Sequence, residues 1–258
     1  VFPVLLSIGP LTLHTYGVLL ALGAALGLWL LTHLAKKSGL DPDRVMTLSL
    51  WLLICGLVGS RLMFVLLEPA QFKSAPWRVL AIWEGGLVFY GGVAAALIVG
   101  LILMRRWRMP VLTLLDCVAP GLALAQAIGR LGCFSAGCCY GRVFEGGWCA
   151  VTFSDPFSLA PRGVPVHPTQ LYTAAALLVI LGVLLLLWRH RRFAGQIFFT
   201  YGFLHGIARV IIETFRADWR GEPILGLTPT GWFALALAVV SAAALIYLRR
   251  KNAAKQGG

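Results

Sequence analysis

Long apolar runs alternate with short polar clusters along this chain, and seven runs reach spanning length, at roughly 14–35, 45–67, 86–104, 111–131, 169–188, 195–215 and 228–248. About 20 predominantly apolar residues in a helix cross a hydrocarbon core. The pattern therefore predicts an all-α polytopic membrane protein of about seven transmembrane helices. The fourth and sixth runs are the least apolar, because they carry Asp116, Arg130, Arg209 and Glu213. Residues 1–13 are interrupted by Pro3, Gly9 and Pro10 and read as a surface or re-entrant segment. They lack the basic start and small-residue cleavage site of a signal peptide. The longest stretch between runs, 132–168, holds four of the six cysteines and has room for a small external head. The organisation expected is one transmembrane domain over 1–258, with that cysteine-rich head segment inside it.

Composition narrows the class. Of 258 residues, 59% are hydrophobic and 12% charged, and the mean hydropathy is +0.83. Soluble domains carry about 25% charged residues, so an ordinary soluble enzyme is excluded along with a disordered chain or a small disulfide scaffold. The formal charge of +12 raises the question of nucleic acid, and the placement of the basic residues answers it. Lys36, Lys37, Arg44, Arg105, Arg106, Arg108, Arg189, Arg191, Arg192, Arg249, Arg250, Lys251 and Lys255 fall on one face of the bundle. Only Lys73, Arg78, Arg142, Arg162, Arg216 and Arg220 fall on the other. By the positive-inside rule the richer face is cytoplasmic, which puts the N-terminus outside and the C-terminus in the cytoplasm. The charge thus reads as topology and attraction to anionic lipid, with no nucleic-acid motif. Trp83, Trp148 and Trp219 near the run ends suit interfacial belts.

Three basic residues, Arg61, Arg130 and Arg209, lie within or at the ends of runs. A charge at bilayer centre costs about 2.5–3.5 kcal/mol on insertion scales, so such residues are paired or functional. Arg209 and Glu213 are four apart and suit an intrahelical ion pair, while Asp116 beside a basic cluster suits a solvated interface. Arg130 sits in Gly129-Arg130-Leu131-Gly132, where glycines admit a ligand to the backbone. A second element, from Glu84 to Gly92, pairs glycines around a short apolar segment and reads as a loop or broken helix at membrane depth. A third, His167-Pro168-Thr169-Gln170-Leu171-Tyr172, opens the fifth run, and a fourth extends from His205 and Gly206 through Arg209 and Glu213 to Arg216. Guanidinium groups match phosphate with a two-pronged fork, so a phosphate-headed lipid entering from the outer leaflet fits this set better than an ion or a sugar.

His14-Thr15-Tyr16-Gly17, the Gly-Gly-Leu-Val-Phe-Tyr-Gly-Gly of 85–92, Gly129-Arg130-Leu131-Gly132, the 167–172 motif, and Arg209 with Glu213 and Arg216 occur in this order along the chain. The ordered set resembles the prolipoprotein diacylglyceryl transferase family. The resemblance implies a transferase moving diacylglyceryl from phosphatidylglycerol to a cysteine thiol of a preprolipoprotein, in the bacterial cytoplasmic (inner) membrane, with the site toward the outer leaflet. It implies catalytic roles for Arg130 and Arg209, with Tyr90 and His205 in the same neighbourhood. His14, Tyr16, Arg61, Gly91, Gly92, His167, Gln170, Glu213 and Arg216 are the implied substrate-binding set. No cofactor and no metal are expected.

The chain departs from the family pattern at several positions. Tyr90 stands where the family has His, Cys133 where it has Asn, Cys138 where it has an acidic residue, and His205 where it has Tyr. A tyrosine with a reference pKa of about 10 is a poor base at neutral pH, and His205 is a candidate replacement. Cys133, Cys138, Cys139 and Cys149 admit structural disulfides, a redox or carrier thiol, or free thiols; the spacing lacks the Cys-x2-Cys pairs of structural zinc sites. Cys55 and Cys117 read as buried packing residues. Two further functions stay open: a diverged paralogue transferring lipid to another acceptor, and a membrane thiol–disulfide oxidoreductase using Cys133, Cys138 and Cys139.

Overall fold

The computed structural model describes residues 2–8, 11–73, 75–81, 85–145, 147, 149–217 and 225–256; Trp83, Glu84, Trp148, Trp219 and Arg220 lie outside that set. Seven long helices follow in order: α1 Thr15–Lys37, α2 Pro42–Leu67, α3 Phe89–Arg106, α4 Val111–Ala136, α5 Thr169–Trp188, α6 Gln196–Glu213 and α7 Pro229–Gln256. Six of these, all but α6, are long and apolar enough to cross a membrane. Gln196, His205, Arg209 and Glu213 dilute the apolar content of α6, and Tyr201, Gly202, Gly206 and Glu213 on it are buried in protein. The chain is therefore a polytopic helical membrane protein. Before α1, β1 (Val4–Ile8) and β2 (Leu11–His14) form an antiparallel hairpin, tied to the helix start by the Thr15 amide on the Pro3 carbonyl at 3.0 Å. His14 consequently ends a strand instead of opening the first span.

By contact density the chain forms two compact units, residues 32–114 and residues 1–31 with 115–258. In the first, Asp41 caps α2 by accepting from the amides of Asp43 and Arg44 at 3.0 and 3.4 Å, with Pro42 at the first helical position. Helices α2 and α3 meet on a glycine seam. A Cβ on Gly59 would come within 2.6 Å of the Gly91 carbonyl oxygen, and one on Gly92 within 2.7 Å of that of Gly56. With lipid outside as apolar as leucine, helices associate by this sort of close backbone approach. Gly91 and Gly92 thus belong to the first turns of α3 and serve packing, where the sequence suggested a broken helix. Arg61 is also accounted for within this unit. Its buried guanidinium donates to the carbonyls of Val79 (2.9 Å), Gly85 (2.6 Å), Gly86 (3.1 Å) and Arg78, between the rings of Phe64 and Phe72. It fastens the connection between α2 and α3 and spares those carbonyls an unpaired burial.

The larger unit has two further seams. A Cβ on Gly27 would lie 2.8 Å from the Gly121 carbonyl oxygen, and one on Gly23 would lie 2.9 Å from that of Ala125, so α1 and α4 touch backbone to backbone. Gly206 meets Ala234 of α7 in the same way, at 2.6 Å. Leu177, Ile180 and Leu184 of α5 pack with Ile197 and Tyr201 of α6 over the alanines Ala119, Ala123 and Ala127 of α4. Asp116 departs from the sequence expectation of a solvated interfacial residue. It is fully buried and accepts from the amides of Gly195 (2.8 Å) and Phe198 (2.9 Å) at the start of α6. The helix begins at Gly195, which has φ +91° and no side-chain cap of its own, so its orphan amides need an acceptor from elsewhere. After α4 a small subdomain pairs β3 (Val151–Thr152) with β4 (Pro165–Val166) around buried Phe153, Ala160 and Val166. Because α4 continues to Ala136, Cys133 is a helical residue and the irregular segment starts later than residue 132.

Two outcomes follow for stability in detergent. Gly27→Leu forces a side chain into the Gly121 backbone and should cost about 1–3 kcal/mol, read as a lowered thermal midpoint. Gly17→Leu, at a position with nothing within 4 Å, should leave the midpoint unchanged. Asp116→Ala strands two buried amides and should cost about 1–3 kcal/mol; an unchanged midpoint would remove Asp116 from its capping role.

Candidate active site

Four helices of the larger unit turn one stripe each toward a common cavity of about 430 Å³. On α4 the stripe is Gln126, Arg130 and Cys133, spaced four and three residues apart so that they share a face. Tyr16 and Leu20 of α1, Thr173 and Leu177 of α5, and His205 and Arg209 of α6 contribute pairs at the same helical spacing. Ala125 and Gly129 complete the wall. The result is two guanidinium groups, an imidazole, a phenol, a thiol, an amide and a hydroxyl beside Leu20, Leu177, Ala125 and Gly129, a mixture of apolar wall and convergent polar groups that suits an amphipathic ligand.

Neighbouring groups fix the polar members. Arg209 Nη2 lies 2.7 Å from Glu213 Oε2, so the ion pair expected from their spacing forms. Glu213 Oε1 in turn accepts from the hydroxyls of Thr228 (2.8 Å) and Thr230 (2.6 Å) at the start of α7. Glu213 is thus buried behind Arg209 and orients it. The His205 ring stacks on Tyr201, with centroids 5.3 Å apart and an interplanar angle of 18°, and the Tyr201 hydroxyl donates to Gln126 Oε1 at 2.8 Å. Charge and ring orientations are therefore held by contacts within the bundle.

The other residues singled out from sequence fall elsewhere. His14 is exposed on β2. Tyr90, in the smaller unit, is 78% exposed, its ring edge-on to Phe89. Arg61, Gly91 and Gly92 have the packing and capping roles described above. His167 stacks on Phe144 at 4.1 Å, meets Phe215 edge-on and shares a 3.1 Å hydrogen bond between Nδ1 and the Tyr172 hydroxyl. It anchors the small subdomain to the start of α5. Gln170 is fully buried, and its Nε2 donates to the Cys138 carbonyl at 2.7 Å.

No disulfide joins any of the six cysteines, so of the options the sequence left open for the external four the structure shows thiols. Cys149 is engaged separately, accepting from the Tyr172 hydroxyl at 3.4 Å. The other three converge: the sulfurs of Cys133, Cys138 and Cys139 all lie within 4.8 Å of one another. Hydrogen bonds from the Cys133 and Cys138 thiols, and then the Arg216 guanidinium, hold the Cys139 thiol well below its ordinary value. Arg216 is itself buried. Hydrogen bonds with Cys133 and Cys139, and then burial, push the Cys138 thiol up.

Sequence reading singled out Tyr16, Arg130, Cys133, His205 and Arg209, and the fold brings these five to one cavity. It missed Gln126, Thr173 and Tyr201. Gln126 carries a legible signal, a polar residue four positions before Arg130 in an apolar run; Thr173 and Tyr201 resemble ordinary span residues.

Comparison with known proteins gives the same direction. The family described as "Prolipoprotein diacylglyceryl transferase" matches residues 3–247. A phosphatidylglycerol–prolipoprotein diacylglyceryl transferase of Clostridium tetani is 33% identical over 222 residues, covering 85% of this chain and 87% of that protein. One of Dehalococcoides mccartyi is 34% identical over 251 residues, covering 97% and 95%. One of Oceanobacillus iheyensis is 30% identical over 264 residues, covering 98% and 90%. A family match over residues 3–247, with relatives 33%, 34% and 30% identical along most of both chains, leads to one conclusion: the chain belongs to the prolipoprotein diacylglyceryl transferase family.

Proposed function

We propose that this protein transfers the diacylglyceryl group of phosphatidylglycerol to a cysteine thiol of a preprolipoprotein, in the bacterial cytoplasmic membrane and with its cavity toward the outer leaflet. The observation that carries the reading is the pair Arg130 and Arg209 on one cavity wall with Tyr16 and His205. Displacement at a glycerol carbon expels a phosphate ester, and negative charge grows on its oxygens as the bond breaks. A guanidinium held in place beforehand in a low-dielectric site stabilises that charge without reorganising. Glu213 keeps Arg209 in place through the 2.7 Å ion pair. Aliphatic Leu20 and Leu177 suit acyl chains. His205, stacked on Tyr201, supplies the imidazole of the lining, the side-chain type most often used for general acid–base work. The charge asymmetry of the connecting segments supports a cytoplasmic C-terminus.

Mass spectrometry of a lipobox peptide incubated with the purified protein and phosphatidylglycerol should record a diacylglyceryl adduct on cysteine. Arg130→Ala should lower the transfer rate by about 10²-fold or more, as for loss of one preorganised charge-stabilising donor. Arg209→Lys keeps the charge but loses the fork and should also be impaired. A wild-type rate in Arg130→Ala would remove the phosphate role. For topology, alkaline phosphatase fused after residue 256 should be inactive and a green fluorescent protein fusion there should be bright; the reverse result would invert the orientation.

A further inference from the structure

The mechanism above leaves unused the most concentrated group of nucleophiles in the chain, at the end of α4. The sulfurs of Cys133, Cys138 and Cys139 lie within 4.8 Å of one another and none is in a disulfide. A tetrahedral zinc ion with sulfur at about 2.3 Å sets its ligands about 3.8 Å apart, so these atoms need close by no more than about 1 Å.

The scaffold that presents them is determined by the backbone. Gly137 at φ +70° and Cys139 at φ +60° both take the left-handed conformation, and the turn closes with the Cys138 amide on the Cys133 carbonyl at 3.1 Å. A β-carbon at left-handed φ is unfavourable, so Cys139 needs external support. It comes from the start of α5: Thr169 Oγ1 donates to the Cys139 carbonyl at 2.7 Å and Gln170 Nε2 to the Cys138 carbonyl at 2.7 Å. Both side chains are fully buried. The sulfurs are thereby aimed by groups that touch none of them.

Charge and location agree with a metal. Three thiolates exceed the charge of a divalent ion by one, and the Arg216 guanidinium contacts Cys139, while Arg130 acts on Cys133. Cys149 is held apart by Tyr172, which leaves three protein ligands. Three ligands and an open fourth position is the pattern of catalytic zinc, whereas structural sites are closed by four. Cys133 also lines the cavity that contains Arg130 and Arg209.

We propose that Cys133, Cys138 and Cys139 bind one zinc ion as thiolates, and that its open position receives the acceptor thiol and presents it as a thiolate to the lipid cavity. The second half of this proposal rests on the transferase reading. On loading, the three cysteines release their protons to solvent, and the acceptor thiol does the same as it ligates the metal. Its sulfur then forms the bond to the glycerol carbon as the carbon–oxygen bond to phosphate breaks. The bonding pair leaves with glycerol phosphate, against Arg130 and Arg209. Zinc keeps its oxidation state, and the neutral thioether product is a weak ligand that departs. Such a device supplies an activated nucleophile in a chain that has Tyr90 where its family has histidine.

The test uses the full chain purified in detergent from zinc-supplemented cells. Mass-spectrometric metal analysis should find about one zinc per chain, and cadmium added to the metal-free protein should produce thiolate-to-metal charge-transfer absorption in the ultraviolet. Both signals should be lost in Cys133→Ser, Cys138→Ser and Cys139→Ser and persist in Cys149→Ser and Arg130→Ala. Transfer to the lipobox peptide should fall about 10²-fold in Cys138→Ser, the scale of a lost proton-handling group. Wild-type protein without zinc, without a cadmium band, or with two of the three thiols joined in a disulfide would overturn the metal site. Zinc lost from Cys138→Ser with the transfer rate intact would overturn the activating role. Stoichiometric zinc in a wild-type protein that transfers nothing would retain the site and remove the transferase reading; transfer without zinc would do the opposite.

Discussion

A polar group surrounded by apolar helices has no water to solvate it, and this constraint governs where every charge in the bundle is placed. Asp116, fully buried, is held by two amides of α6. The Arg61 guanidinium is spread over backbone carbonyls between α2 and α3, and Glu213 is shared between Arg209 and two threonine hydroxyls. Each arrangement converts a costly burial into a cross-link between segments distant in sequence, since a partly satisfied polar group in this setting costs more than an apolar one. Arg130 and Arg209 line one cavity, Arg209 with its charge balanced by Glu213.

Packing without a hydrophobic driving force makes the second demand. Three helix pairs solve it in the same manner, with a glycine set against a backbone carbonyl of the partner helix: α2 with α3, α1 with α4, and α6 with α7. Two of those seams matter directly to the site. The α1–α4 seam sets Tyr16 against the Arg130 stripe, and the α6–α7 seam sets Glu213 against Thr228 and Thr230. A side chain inserted at either seam displaces a functional group as well as a helix.

Substitutions at family positions have a common structural meaning. Cys133 and Cys138 occupy the places of an amide and a carboxylate, and with Cys139 they form one sulfur cluster at the rim of the cavity. The head subdomain and the start of α5 are built to hold that turn.

The hydrophobic pattern alone located all seven helices, although α7 continues to Gln256 and α4 to Ala136, past the ends of their apolar runs, because burial in lipid imposes a length and a composition on a span. It also exposed Arg130, Cys133, His205 and Arg209, since polar residues at helical spacing within apolar runs stand out against their neighbours. What the pattern left open was partnership. Asp116 looked interfacial and proved to be a cap for a helix almost eighty residues away in sequence. Arg61, Gly91 and Gly92 carried no sign in the sequence of the backbone joints they make between α2, α3 and the segment that connects them. The cysteine spacing gave no metal pattern, yet two left-handed residues in one turn fold three sulfurs together. Span length and polarity are local properties written into consecutive residues; hydrogen-bond partners and converging side chains depend on which surfaces meet, and only the packed structure decides that.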